Sequence, residues 1–169
     1  DESDVARWWI SDPADPSAAP RQVRYPAAGT PNAGVRLWLV DLDGGRTEVL
    51  WDRASLPYLA AVRWDAAGAL VSVQSREQTR VEHLQIDPET GTLQRLSVQE
   101  RTPWVELVPG SPRLAPDGEL VLVDVDPATA SWRIRKGEEW LTPPKWYIRS
   151  LLRCDASGIW AAGTTDPLD

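Results

Sequence analysis

The sequence predicts an all-β fold of stacked antiparallel four-stranded sheets, and three observations predict it. Short apolar runs recur along the chain, glycine-marked turns separate them at near-constant spacing, and no stretch shows a sustained helical period with caps. Gly45, Gly91 and Gly137 are separated by 46 and 46 residues, each in a polar turn: Asp43-Gly44-Gly45, Asp87-Pro88-Glu89-Thr90-Gly91 and Lys136-Gly137-Glu138. Gly68, Gly118 and Gly158 form an interleaved series spaced by 50 and 40 residues, each followed by a strand start: Leu70-Val71, Leu120-Val121 and Ile159-Trp160. Two interleaved series near a period of about 40–50 residues mean two hairpins per repeat, the layout of a β-propeller blade. The expectation is about three antiparallel four-stranded blades, a partial β-propeller.

Taken in order, residues 11–34 contain Asp12-Pro13, Asp15-Pro16, Ala19-Pro20, Tyr25-Pro26 and Thr30-Pro31, which break a hydrogen-bonded ladder. A long Pro-rich connecting segment over the surface is expected there. Pro26 and Pro31 stiffen the chain and Gly29 permits a tight turn, delivering the backbone into a strand at 35–41. Its apolar residues, Val35, Leu37 and Leu39 against Trp38 and Val40, occupy both faces, as in a strand covered from both sides. Further strands are expected at 46–51, 60–65, 69–74, 80–86, 92–98, 112–114, 119–125, 131–135, 139–142, 148–153 and 158–163, with almost no helix.

Composition narrows the function classes. The chain has 169 residues, enough to bury one substantial core, and no apolar run approaches the ~20 residues of a membrane-spanning helix. Eighteen basic against 25 acidic residues leave a net charge of −7 with the arginines scattered, which argues against nucleic acid as a partner, and without a spanning apolar run no membrane partner is expected. Cys154 is the only cysteine and cannot form an internal disulfide, so the expected compartment is reducing, the cytoplasm. The absence of Met and of a leader before Asp1 reads as a piece of a longer protein.

Ten tryptophans stand in a chain without phenylalanine. Trp38, Trp51, Trp64, Trp132, Trp140 and Trp160 occupy repeat-equivalent strand positions and are expected as wedges between blades. Trp8, Trp9, Trp104 and Trp146 lie nearer loops and are candidates to face an interface.

Candidate chemistry is sparse. The only histidine, His83, sits in mid-strand among Val81-Glu82-His83-Leu84-Gln85-Ile86 and is expected as an ordinary strand residue rather than a catalytic base. No Gly-x-Ser-x-Gly nucleophile elbow occurs. One His, one Cys and dispersed carboxylates supply no metal-ligating pattern, and the Asp41/Asp43 and Asp124/Asp126 pairs are read as turn-stabilising punctuation. The polar run Gln74 to Arg80 fits an exposed hairpin in which Arg76 and Arg80 are surface candidates. No residue is assigned a catalytic, cofactor-binding or metal role, and no cofactor is expected.

The stretch Tyr25-Pro26-Ala27-Ala28-Gly29, then Asn32, then a Val-rich strand ending near Asp41 and Gly44, resembles the N-terminal β-propeller domain of the dipeptidyl peptidase IV family of serine peptidases, in the prolyl oligopeptidase clan. Gln74 to Arg80 is similar to a second family stretch, and Asp1, Ser3 and Val5 resemble a segment well inside that propeller. The resemblance implies a non-catalytic fragment, residues 1–169, that gates peptide access to a catalytic triad in a C-terminal α/β-hydrolase domain beyond Asp169. The implied partners are that hydrolase domain and the parent's peptide substrates, and a homodimer is admitted.

The family's Glu pair for the substrate amino terminus lies upstream of the Tyr-Pro-x-Ala-Gly segment, so no such role passes to Glu138 and Glu139, which read as a solvated turn. Near Trp104 to Val108, where some relatives place an Arg and an aromatic in the substrate cavity, this chain has Glu106 and Leu107. The alternative reading is a standalone β-repeat scaffold for protein binding.

Overall fold

A computed structural model describes residues 1–166 and divides the chain into two compact units, Asp1–Arg36 and Leu37–Asp169. Among the described residues there is no helix, and every pairing between strands is antiparallel.

The first unit holds one hairpin, β1 (Arg7–Ile10) and β2 (Arg21–Arg24), in register from Arg7↔Arg24 to Ile10↔Arg21. Trp8 Nε1 donates to the Tyr25 carbonyl at 3.0 Å, and the Arg24 guanidinium reaches the carbonyls of Glu2, Ser3 and Val5. Both strands were absent from the expected set, and β2 lies within residues 11–34. The reason is local: Arg21-Gln22-Val23-Arg24 falls between Pro20 and Pro26, so its four N–H groups are intact although prolines bound it. Its alternation is too short and polar to register as a strand signal.

The second unit is a stack of sheets. A hairpin of β3 (Leu37–Val40) and β4 (Arg46–Val49) is followed by a four-stranded sheet of β5 (Tyr58–Asp65), β6 (Gly68–Gln74), β7 (Arg80–Ile86) and β8 (Leu93–Glu100) in that spatial order. A second four-stranded sheet comprises β9 (Arg113–Leu114), β10 (Leu120–Asp126), β11 (Ser131–Lys136) and β12 (Glu139–Trp140), and a hairpin of β13 (Tyr147–Asp155) and β14 (Gly158–Thr164) completes the unit. Two complete blades flanked by two half-blades account for the twelve strands expected from sequence, the equivalent of three blades.

Side-chain alternation builds the stack. On β6, Ala69, Val71 and Val73 join Val49 of β4 in one apolar cluster, with Leu84 and Ile86 of β7, so that face meets the β3–β4 hairpin. Leu70, on the opposite face of β6, packs with Leu114, Leu120 and Leu122 of the second blade. On β10 the next face, Val121 and Val123, packs with Ile148 and Leu151 of β13. Strands β6 and β10 are therefore buried on both faces, which is why their sequences read as near-continuous apolar runs.

The tryptophans divide. Trp51 packs against the first cluster, Trp132 against the third, and Trp140 lies under the Arg133 guanidinium at 5.0 Å. Trp38, Trp64 and Trp160, expected as wedges, are instead exposed. Trp38 lies on the face of β3 opposite Leu37 and Leu39, Trp160 alternates with the packed Ile159 on β14, and Trp64 lies on β5 across from Ala69 without joining the cluster Ala69 belongs to. Trp8 and Trp9 are exposed on β1, a strand rather than a loop flank.

Candidate functional site

An antiparallel blade sends alternate connections to opposite ends, and in this unit the two ends differ chemically. One end carries the tight turns β3–β4, β5–β6, β7–β8, β9–β10, β11–β12 and β13–β14. In five of these an aspartate accepts the N–H two residues on: Asp41 from Asp43 (2.9 Å), Asp65 from Ala67 (3.0 Å), Asp87 from Glu89 (2.8 Å), Asp117 from Glu119 (3.1 Å) and Asp155 from Ser157 (2.8 Å). Such turns satisfy their own backbone and present carboxylates to water. The Ser157 hydroxyl and the Arg153 guanidinium hold the Asp155 carboxyl down to about 2. Glu138 and Glu139 sit at this end, both exposed.

The other end carries the β6–β7 and β10–β11 turns and the three blade-to-blade connections, residues 50–57, 101–112 and 141–146. Here large apolar side chains face outward: Leu50, Trp104, Leu107, Leu141 and Trp146, with Trp104 at 56% and Leu107 at 45% exposure. At the opposite end the turns themselves expose only Leu42 in this class, while Val40, Trp64 and Trp160 are exposed on the strand residues beside them. The Gln74–Arg80 segment lies at the apolar end, with Gln74 and Ser75 buried and the Arg80 guanidinium held by Glu82 (2.6 Å) and Glu100. Arg80 is thus engaged within its own sheet.

Connection 101–112 is the most constrained segment of that end. Val105 N–H donates to the Gln78 carbonyl at 2.7 Å, Val123 N–H to Ser111 Oγ at 2.9 Å, and Leu151 N–H to the Pro109 carbonyl at 2.9 Å. Gly110 has φ of 80°, and a Cβ there would fall on the Leu151 carbonyl oxygen. The connection is therefore stitched to β10, to β13 and to the β6–β7 turn. Hollows flank it. One, of about 440 Å³, lies against Leu107, Trp132, Tyr147 and Arg149, and a smaller cleft of about 160 Å³ is lined by Arg63, Ser72, His83, Gln99, Ser111 and Val123. Glu106 and Leu107 border both, and both are exposed.

Beneath the smaller cleft, a buried polar chain joins the two complete blades. Ser72 Oγ lies 2.9 Å from His83 Nδ1, and His83 Nε2 lies 3.0 Å from Gln99 Oε1. Gln99 in turn donates to Asp124, whose carboxylate also receives Arg101 at 2.5 Å and Arg135 at 3.1 Å. Direction follows from the end of the chain. An ionised Asp124 only accepts, so the Gln99 amide donates to it, Gln99 Oε1 accepts from His83 Nε2–H, and the bare Nδ1 accepts from the Ser72 hydroxyl. Burial pushes the His83 pKa below its ordinary value, keeping the ring neutral.

Serine next to histidine invites comparison with a nucleophile and its base, but the geometry is that of a structural tie. Ser72 and His83 are each 2% exposed, and an amide rather than a carboxylate orients the ring. Of the pair read from sequence as turn punctuation, Asp126 does cap the β10–β11 turn, accepting from Ala128 N–H and the Thr129 hydroxyl, whereas Asp124 is corrected by the same network. Asp124 is buried within β10, and Asp126, while accepting from Ala128 N–H at 2.9 Å, also pairs with Arg133 at 2.6 Å. The i,i+2 spacing put both on one strand face, and the arginines that hold them come from the neighbouring strand β11 (Arg133, Arg135) and from connection 101–112 (Arg101).

Stacked antiparallel blades with tight turns at one end and blade-to-blade connections at the other define a class: a segment of a β-propeller. Comparison with known proteins gives the family. Residues 1–158 match the dipeptidyl peptidase IV (DPP IV) N-terminal region, and the chain belongs to that family. The crystal structure of Porphyromonas gingivalis dipeptidyl peptidase 4 has the same fold, with a TM-score of 0.73 over 96% of this chain at 19% identity. This chain spans 25% of that protein. Comparison with the curated proteins finds no match.

Proposed function

We propose that this chain is a non-catalytic propeller portion of a dipeptidyl-peptidase-like serine peptidase, whose apolar end faces a C-terminal α/β-hydrolase domain and gates the peptides that reach it. The observation that carries this reading is the clustering of Leu50, Trp104, Leu107, Leu141 and Trp146 on the three blade-to-blade connections, where the tight turns of the other end expose only Leu42. Exposed apolar side chains concentrated on one surface mark an interaction site. Membership of the family supplies the partner's class. Connection 101–112, pinned at Val105, Ser111 and Leu151, forms a rigid rim from which Glu106 and Leu107 face approaching peptides.

The test uses the full-length protein with Trp104→Ser, Leu107→Ser and Trp146→Ser combined. Turnover of a long peptide relative to an X-Pro dipeptide chromogenic substrate is expected to rise roughly tenfold, the scale of one lost apolar anchor. An unchanged ratio would remove the gating role. Expressed alone, the 169-residue chain is expected to leave the chromogenic substrate intact, and serine-reagent-sensitive turnover by it would contradict the assignment of catalysis to another domain.

A further inference from the structure

The cleft of about 160 Å³ between the two complete blades has a composition that the gating role does not require. Arg63, on β5, lines it, and Arg63 Nε is a buried donor with no hydrogen-bond partner. A buried guanidinium N–H without an acceptor is costly, and an anionic acceptor satisfies it best. The neighbouring charges do not supply one. Asp65 spends its carboxylate on the turn at Ala67, and Glu106 stands at the exposed rim accepting from Trp104 Nε1 at 3.2 Å. Burial and the like charge of Arg113 lower the Arg63 pKa, against the opposing pull of Asp65, which makes no hydrogen bond to it. The remaining polar walls are neutral, since the Ser72 hydroxyl proton is committed to His83 Nδ1. The other walls are apolar, among them Ala60, Val108 and Pro112.

We propose that this cleft binds a short aliphatic monocarboxylate, its carboxylate accepting from the Arg63 guanidinium and its hydrocarbon lying against Ala60, Val108 and Pro112. Among the described residues Arg63 is the one cation in the lining and Glu106 borders the rim, so a monoanion held at the Arg63 guanidinium is the most charge the cleft takes, and a phosphate dianion is left uncompensated. The volume is close to the ~150 Å³ that accommodates a benzene ring, so an acid of about four or five carbons fits. The carboxylate has two sources of the same chemistry, a free short-chain acid or the carboxyl terminus of a peptide. In the second case the acceptor lone pairs of Ser72 Oγ are available to the peptide N–H.

Titration calorimetry on the full-length protein tests this with butyrate, its neutral isostere butyramide, N-acetylalanine, N-acetylalaninamide and inorganic phosphate. Saturable binding of butyrate, with none of butyramide, is expected. Binding of N-acetylalanine but not its amide identifies the peptide source, and butyrate alone identifies the free acid. Arg63→Gln is expected to weaken butyrate roughly tenfold or more, with Arg63→Lys intermediate because it keeps the charge but loses the planar fork. The downfield ring N–H signal of His83 reports whether each variant retains the interblade packing. Equal heats from butyrate and butyramide, no saturable heat from either acid, or tighter binding of phosphate would each overturn the proposal. None of these readouts depends on peptidase turnover, so the gating role and this site can fail separately.

Discussion

His83 shows how one buried side chain links two sheets to the pH of the solvent. Burial lowers its folded pKa below the ordinary 6.5, so the native ring stays neutral while the unfolded ring takes up a proton. The stability this confers is complete above pH 6.5 and is lost as the pH falls through that value toward the folded pKa. Urea midpoints measured from pH 8 to pH 5 are expected to fall for the native chain below about 6.5, with His83→Gln giving a flatter profile in that window. Asp124 is the other critical residue of the network. Removing its carboxylate in Asp124→Ala strands Arg101 and Arg135 at the interblade surface, and a loss of about 3 kcal/mol is expected in the denaturation free energy. A loss below about 1 kcal/mol would mean that water replaces the carboxylate there.

At the level of the element, β10, like β6, carries a heavy packing load because it is buried on both faces. Leu122 is 1% exposed and packs toward the first blade, while Val121 and Val123 pack toward β13. Leu122→Ala is expected to cost about 2–5 kcal/mol, through lost transfer energy and an interblade void. Trp160→Ser, by contrast, is expected to change the stability of this chain by no more than about 0.5 kcal/mol, because the indole is exposed. Equal costs for the two, read from thermal unfolding, would show that the second hairpin face is covered in solution.

Across the whole molecule, what could be read from sequence was whatever depended on local pattern. The glycine-marked turns and the strands from β3 to β14 were legible because each is written in a few consecutive residues: Asp87 to Gly91 for a turn, Leu120 to Asp126 for a strand covered on both sides. The placements of Trp38, Trp64 and Trp160 were not, since repeat position says which face of a strand a side chain takes but not what covers that face. Nor was the polar chain legible. Ser72, His83, Gln99 and Asp124 lie on four strands of two blades, and only the pairing of those blades brings them together. The cleft beside Arg63 was invisible for the same reason, being defined by the inner strand of one blade and a connection more than forty residues away.

The difference between the two ends also bears on how such a chain can change length. The β13–β14 turn closes its own hydrogen bonds through Asp155 and has open space at Gly158, so an inserted residue at Ala156-Ser157 lengthens a loop without disturbing a neighbour. Connection 101–112 has no such slack. Its carbonyl at Pro109 and hydroxyl at Ser111 are keyed to particular N–H groups of β13 and β10, and one added residue between them would slip that key. Variation in length among relatives should therefore accumulate in the self-capped hairpin turns and spare connection 101–112.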